Sequence, residues 1–220
     1  MDKYNRFLRQ IDILNPDALK EPIFMIGAGA TGSFASLSLA KMGFSDIRVF
    51  DEDCIEDHNF PNQIFPVNTL GKNKAFALRD VVEHFTGEKI TANEVHYKNQ
   101  MLKGIVVSAV DSMEVRKRIY QNCLKSNGAV KLLIDPRTGP EMMRLFTVNL
   151  ELESERLYYE KNLHTDAEAD VAPCTARSII YSVLMVSALV CRQIKLYTMN
   201  QEYKKDIIFD VRNDYIIATK

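Results

Sequence analysis

Pro22-Ile23-Phe24-Met25-Ile26-Gly27-Ala28-Gly29-Ala30-Thr31-Gly32 opens the stretch that decides the fold; Ser33 to Met42, Gly43 and Asp46-Ile47-Arg48-Val49-Phe50-Asp51 complete it. The run to Ile26 is short, apolar and ends in glycine, which reads as a buried strand. Ser33 to Met42 carries Phe34, Leu37 and Leu39 at helical spacing among small residues, and Gly43 closes that helix. Asp46 to Asp51 reads as a second strand. Strand, glycine turn, helix and strand within about 30 residues make the βαβ unit of a parallel sheet. Gly27, Gly29 and Gly32 permit a tight turn and a close backbone approach, and the helix start behind them offers N–H groups to a phosphate. Asp51, at the end of the second strand, can accept both hydroxyls of a ribose. At this point NAD, FAD, ATP and S-adenosylmethionine all remain open.

The same rhythm continues outward. Residues 1–20 are polar, Arg-rich and helical in pattern. Lys72 to Phe85 reads as a helix ended by Gly87, and Ile90 to Tyr97 as a strand. Gly104 to Val110 is a buried strand, Ser112 to Ser126 a helix, and Val130 to Asp135 and Met142 to Leu150 are strands. Glu151 to Asp170 is charged and weakly patterned, which fits a mobile loop or a short helix; a crossover loop is expected over 151–174. Thr175 to Tyr197 is the most apolar helix. Ile207 to Val211 and Tyr215 to Ala218, separated by Asn213-Asp214, form a terminal hairpin. With no repeat and no linker, the expectation is one domain over 1–220. Its expected fold is α/β: a doubly wound, mostly parallel Rossmann-like sheet with helices on both faces and a C-terminal antiparallel β-hairpin.

Composition narrows the function. The chain has 220 residues with 28 Lys plus Arg against 29 Asp plus Glu, a net charge of −1. That balance argues against a nucleic-acid partner, which calls for a basic excess. Met1 to Arg6 lacks an apolar secretory core, so the expectation is a cytoplasmic chain. The apolar stretch near Ile179 to Val190 is broken by Tyr181, Ser182 and Ser187 and reads as too short for a bilayer, so no membrane is expected. Cys54, Cys123, Cys174 and Cys191 form no Cys-x-x-Cys pair, which predicts reduced thiols and no zinc. His58, His84, His96 and His164 show no ligand spacing.

Five pieces fall in order: Arg6-Phe7-Leu8-Arg9-Gln10, the glycine turn, Asp51-Glu52-Asp53-Cys54-Ile55-Glu56-Asp57-His58-Asn59-Phe60-Pro61-Asn62-Gln63, Gly71-Lys72-Asn73-Lys74-Ala75, and Ser108-Ala109-Val110-Asp111. Together they resemble the ThiF/MoeB/HesA superfamily, the adenylating domains of ubiquitin-activating enzymes. The chain is similar to a minimal, zinc-less member. The resemblance implies ATP with Mg²⁺ and an adenylyltransferase reaction. In it, the C-terminal carboxylate of a ubiquitin-like or sulfur-carrier protein attacks the α-phosphate, giving an acyl-adenylate and pyrophosphate. By the same resemblance, Asp51 and Asp53 fall in the ribose-binding motif, and Asn59, Asn62 and Gln63 lie near ribose and phosphates. Lys74 would reach the phosphates and Asp111 would hold Mg²⁺. Arg9 would act across a homodimer on the partner's nucleotide. Pre-placed cations suit the charge that builds on the α-phosphate and the leaving pyrophosphate.

Asn62 departs from the family pattern, which has arginine there. An amide hydrogen-bonds a phosphate but brings no charge, and Lys72, Arg137, Arg144 and Arg177 are candidates to replace it. Two readings of Cys174 stand. A thiol at a helix N-terminus has its thiolate favoured by the dipole, as an acceptor nucleophile needs; a small residue filling a tight helix entry next to the nucleotide is the other reading, and the favoured one. Two other functions compete. A non-catalytic nucleotide-binding scaffold of the same family is supported by Asn62. An NAD-dependent oxidoreductase explains Gly27 to Asp51 but leaves Asn59, Gln63, Lys74 and Asp111 without a role.

Overall fold

Residues 3–163 and 178–220 are described in a computed structural model of the chain. Strand β1 (Ile23–Ile26) is buried on both faces. Ile23 and Met25 enter one apolar core, Phe24 and Ile26 a second. A strand covered on both sides has no polar face, hence the unbroken apolar run. Among the described residues the sheet has eight strands. β2 (Ile47–Phe50), β3 (Thr91–Asn93), β4 (Gly104–Ser108) and β5 (Val130–Thr138) complete a parallel half with β1. β6 (Met142–Asn149), β7 (Asp206–Asp210) and β8 (Tyr215–Thr219) extend it antiparallel, in the order β3-β2-β1-β4-β5-β6-β7-β8.

Among the described residues the α-helices are α1 (Lys3–Arg6), α2 (Ala30–Met42), α3 (Lys74–Thr86), α4 (Met113–Leu124), α5 (Glu153–Glu160) and α6 (Ile180–Thr198). α2, α3 and α6 cover one face through Ala35, Leu39, Leu78, Val82, Val190 and Ile194. α4 and α5 cover the other through Ile119, Tyr120 and Tyr159, packed on Val106 and Phe146. The expected doubly wound architecture with its terminal hairpin is therefore the one observed.

Several boundaries differ for local reasons. α2 starts at Ala30, earlier than expected, because the glycine turn itself leads into its first turn, with Gly29 at the N-cap. The third strand keeps only Thr91–Asn93, the residues that pair with β2. β5 continues to Thr138 because β6 pairs with it along that length. At the N-terminus only Lys3–Arg6 is helical; Gln10 N then donates to Phe7 O at 2.9 Å, and a 3-10 turn capped by Asn15 follows at Pro16–Ala18. In the charged stretch after Leu150, residues 153–160 take the helical option, and Tyr159 there is fully buried. The rest of the expected crossover loop falls largely outside the described residues. α6, at 19 residues, is long and apolar enough to cross a bilayer, which corrects the reading of that stretch as too short. Its Val183, Val186 and Val190 are nevertheless buried in the core. Small polar side chains let it approach α2, with Ser187 Oγ donating to Thr31 O at 3.2 Å.

Candidate nucleotide site

The order β2-β1-β4 reverses chain direction across the sheet between β1 and β4, and ligands of doubly wound sheets bind outside the carboxyl ends of the strands at such a point. Here the exits of β1 and β4 touch. Gly27 has φ +99°, and a Cβ on it would meet Ala109 O at 2.3 Å. Ala109 N donates to Ile26 O at 2.8 Å. Gly32 is equally constrained, since its Cβ would lie 2.0 Å from Gly27 O. Gly29 is the opposite case: a Cβ there would meet nothing within 4 Å. The turn is thus packed against the fold at Gly27 and Gly32 and open at Gly29, at the N-terminus of α2.

Asp51 fixes the turn from the β2 side. Its Oδ2 accepts from Ala28 N at 2.6 Å and its Oδ1 from Asp53 N at 2.9 Å. Burial pushes its carboxyl above the ordinary value of 3.8, against the pull of these two N–H groups and of Lys74. Each carboxylate oxygen keeps a further lone pair, enough for a ribose hydroxyl. Asn73 ties the same region together. Its Nδ2 donates to Asp51 O at 3.0 Å and Asp53 O at 3.2 Å, and its Oδ1 caps α3 at Phe76 N. The cap places Lys74, the next residue, with its side chain largely buried and its Nζ 2.8 Å from Asp53 Oδ2.

Asn59 is buried, and its Oδ1 accepts from Glu56 N at 2.9 Å in a capping box, so that oxygen has a structural duty. Gln63 N donates to Asn59 O at 3.0 Å, while Gln63 Oε1 is buried with no hydrogen-bond partner among the described residues. Asn62 Nδ2 donates to Ser178 O at 3.3 Å. Asp111 is exposed, three residues beyond β4, on the loop that meets Gly27 through Ala109.

The candidate residues are not all brought together. The N-terminal segment packs at the other end of the sheet: Phe7 lies against Gly43, Gln10 Nε2 donates to Met42 O at 2.7 Å, and Arg6 Nη1 to Thr86 O at 3.0 Å. Those are the C-terminal ends of α2 and α3, whereas the site is at their N-terminal ends, so Arg9 lies away from its own chain's glycine turn. Arg137 and Arg144 are occupied elsewhere, in ion pairs of 2.8 Å with Asp135 and Asp206. Of the four candidates to replace the family's arginine, these two thus have their charge balanced by carboxylates of the sheet; Lys72 is exposed, and Arg177 lies outside the described residues. Cys174 is outside them too. Cys123 and Cys191 are buried, and burial pushes both thiols up to about 12, which makes them packing residues. Among the described residues no three of His, Cys, Asp or Glu gather as a metal cluster.

An open glycine turn at a helix start, a carboxylate at the end of β2 and a lysine held beside it stand together at the switch point of a doubly wound α/β domain. A ThiF family model matches residues 16–207, and the chain belongs to that family. It is 27% identical over 122 residues to a ubiquitin-like modifier-activating enzyme 5 of Dictyostelium discoideum, covering 47% of this chain and 32% of that one. It is 28% identical over 143 residues to a probable molybdopterin-synthase adenylyltransferase of Porphyra purpurea, covering 58% and 37%. The matches thus span about a third of those relatives. Among solved structures, E. coli MccB with AMPCPP and MccA superposes with a TM-score of 0.78 at 17% identity, covering 100% of this chain and 72% of that one. PaaA gives 0.78 at 16%, covering 99% and 82%. At that identity the likeness is one of fold.

Proposed function

We propose that this chain is an ATP-dependent adenylyltransferase that activates the C-terminal carboxylate of a ubiquitin-like or sulfur-carrier protein as an acyl-adenylate. The observation that carries the reading is the hydrogen-bonded set Ala28–Asp51–Asp53–Lys74 beside the open face of Gly29. A nucleotide fits it. The space over Gly29 admits a phosphate, the lone pairs of Asp51 admit ribose hydroxyls, and the unpartnered Gln63 Oε1 awaits a donor. Lys74 places a cation where the α-phosphate gains charge as the carboxylate attacks and pyrophosphate leaves. Mg²⁺ commonly takes one or two carboxylates and completes its shell with phosphates and water, so the single exposed Asp111 suits it in company with ATP. When bound it would neutralise phosphate charge.

The relatives named as modifier-activating and molybdopterin-synthase adenylylating proteins support the carrier-protein class of substrate. We infer a homodimer in which Arg9 serves the partner's nucleotide, because its own chain holds it at the far end of the sheet. ATP–pyrophosphate exchange tests the reaction. Asp111→Ala should lower exchange by about 100-fold or more, the order expected for one charge-stabilising group, with the melting transition retained. Normal exchange in that variant would remove Asp111 from the mechanism. Binding of ATP without exchange, across carrier proteins, would favour a non-catalytic scaffold, for which the use of Asn62 on Ser178 O is the supporting contact.

A further inference from the structure

The loop between β4 and α4 carries Asp111 between two anchors. On its far side, Ser112 Oγ accepts from Val115 N at 3.3 Å and caps α4. On its near side, Arg116 turns its guanidinium back from α4 onto the exit of β4. Nη1 donates to Ser108 O and Pro136 O, each at 3.0 Å, and also meets Asp135 Oδ1; Nη2 donates to Val110 O, next to Asp111. Arg116 is only 6% exposed, while Asp111 is exposed to solvent.

The partner of Arg116 is held just as firmly. Asp135 is fully buried and also accepts from Arg137 Nε and Tyr159 OH, each at 2.9 Å. Burial pushes its carboxyl up, but Arg116 and Arg137 outweigh that and hold it below the usual carboxylate range. A buried ion pair is often replaceable by apolar side chains without loss of stability. What an apolar pair could not do is grip the carbonyls of Ser108 and Val110, and the wide, fixed fork of the guanidinium, unlike the compact three-donor ammonium of lysine, spans both of them and Asp135 together.

We propose that Arg116 is a positioning residue: by holding the carbonyls of Ser108 and Val110 it sets where the Asp111 carboxylate stands at the switch point, and so how the chain retains a divalent cation beside ATP. The inference rests on the nucleotide reading above. Lysine at 116 keeps the charge facing Asp135 but cannot hold both loop carbonyls.

The test is a melting-temperature series with ATP plus chelator, then with ATP and titrated Mg²⁺, paired with pyrophosphate exchange over the same Mg²⁺ range. In Arg116→Lys the shift from ATP with chelator should match the unmodified protein. The Mg²⁺ concentration for the half-maximal additional shift, and for half-maximal exchange, should rise about tenfold or more. Arg144→Gln breaks a different ion pair of the sheet and is the control for stability alone; it should melt lower with unchanged Mg²⁺ dependence. An unchanged Mg²⁺ dependence in Arg116→Lys overturns the proposal, as does an equal rise in Arg144→Gln. If Arg116→Lys does not fold, Ser112→Ala releases the other anchor: a rise in the Mg²⁺ requirement supports the proposal and no rise overturns it. An unmodified protein with no ATP-dependent shift at all would remove the nucleotide reading and the role of Arg116 with it, whereas an ATP-dependent shift that ignores Mg²⁺ would overturn the role of Arg116 and leave the nucleotide reading standing.

Discussion

Gly29 and Gly32 stand in one turn and are needed for opposite reasons. At Gly32 a methyl group would lie 2.0 Å from Gly27 O; at Gly29 it would meet nothing. Gly32→Ala should therefore destabilise the fold by at least the ~1–3 kcal/mol typical of overpacking, read as a lower denaturation midpoint. Gly29→Ala should leave that midpoint nearly unchanged while losing ATP binding in calorimetry, because the methyl fills the space a phosphate would occupy. Equal loss of stability in both variants would contradict this division. The sequence motif shows three glycines at one spacing and does not separate the packed ones from the open one, because the difference lies in what β4 brings up against the turn. Asp51, Asp53 and Lys74 are legible as a set from their motifs. That Asn73 binds two of them together is not, since its amide acts on carbonyls 20 and 22 residues away.

At the scale of elements, Asn73 joins the start of α3 to the exit of β2. Asn73→Ala removes the cap and both carbonyl contacts, so a loss of about 1–2 kcal/mol is expected from the cap alone. Weaker ATP binding should accompany it, because Lys74 follows directly; unchanged affinity would show that the lysine is placed by Asp53 alone. The sheet interior offers a pH test. Asp135 has a folded-state carboxyl held below its ordinary value of 3.8, so its contribution is present above that value and lost as pH falls below it. Asp135→Asn should flatten the acid limb of the stability profile. It should also cost about 3–5 kcal/mol at neutral pH, since it leaves buried guanidinium groups without their partner. A parallel acid limb in the variant would place the titrating group elsewhere. The strand and helix order was legible from apolar runs and turns. The fate of Arg137 and Arg144 was not. They stand directly opposite each other across β5 and β6, and each escapes that like-charge contact through its own aspartate. One of those aspartates, Asp206, is 62 residues from Arg144, a distance that no local pattern reports.

At the scale of the whole molecule, the N-terminal segment and the glycine turn occupy opposite ends of the sheet. If Arg9 serves a partner's nucleotide, mixing inactive Arg9→Ala with inactive Lys74→Ala should restore part of the exchange activity through mixed dimers. No recovery, with subunit exchange demonstrated, would rule the shared site out. The family motif at the start of the chain points to Arg9 as a site residue, but only the fold shows that its neighbours Phe7 and Gln10 pack at the C-terminal end of α2, away from the glycine turn. The site as a whole is most directly examined by comparing melting temperatures in ATP with Mg²⁺, ATP with chelator, NAD and S-adenosylmethionine, because a ligand that binds only the native state raises the transition by mass action. Stabilisation by ATP that grows with Mg²⁺, with no shift from NAD or S-adenosylmethionine, is the expected result; stabilisation by NAD alone would contradict an adenylating site.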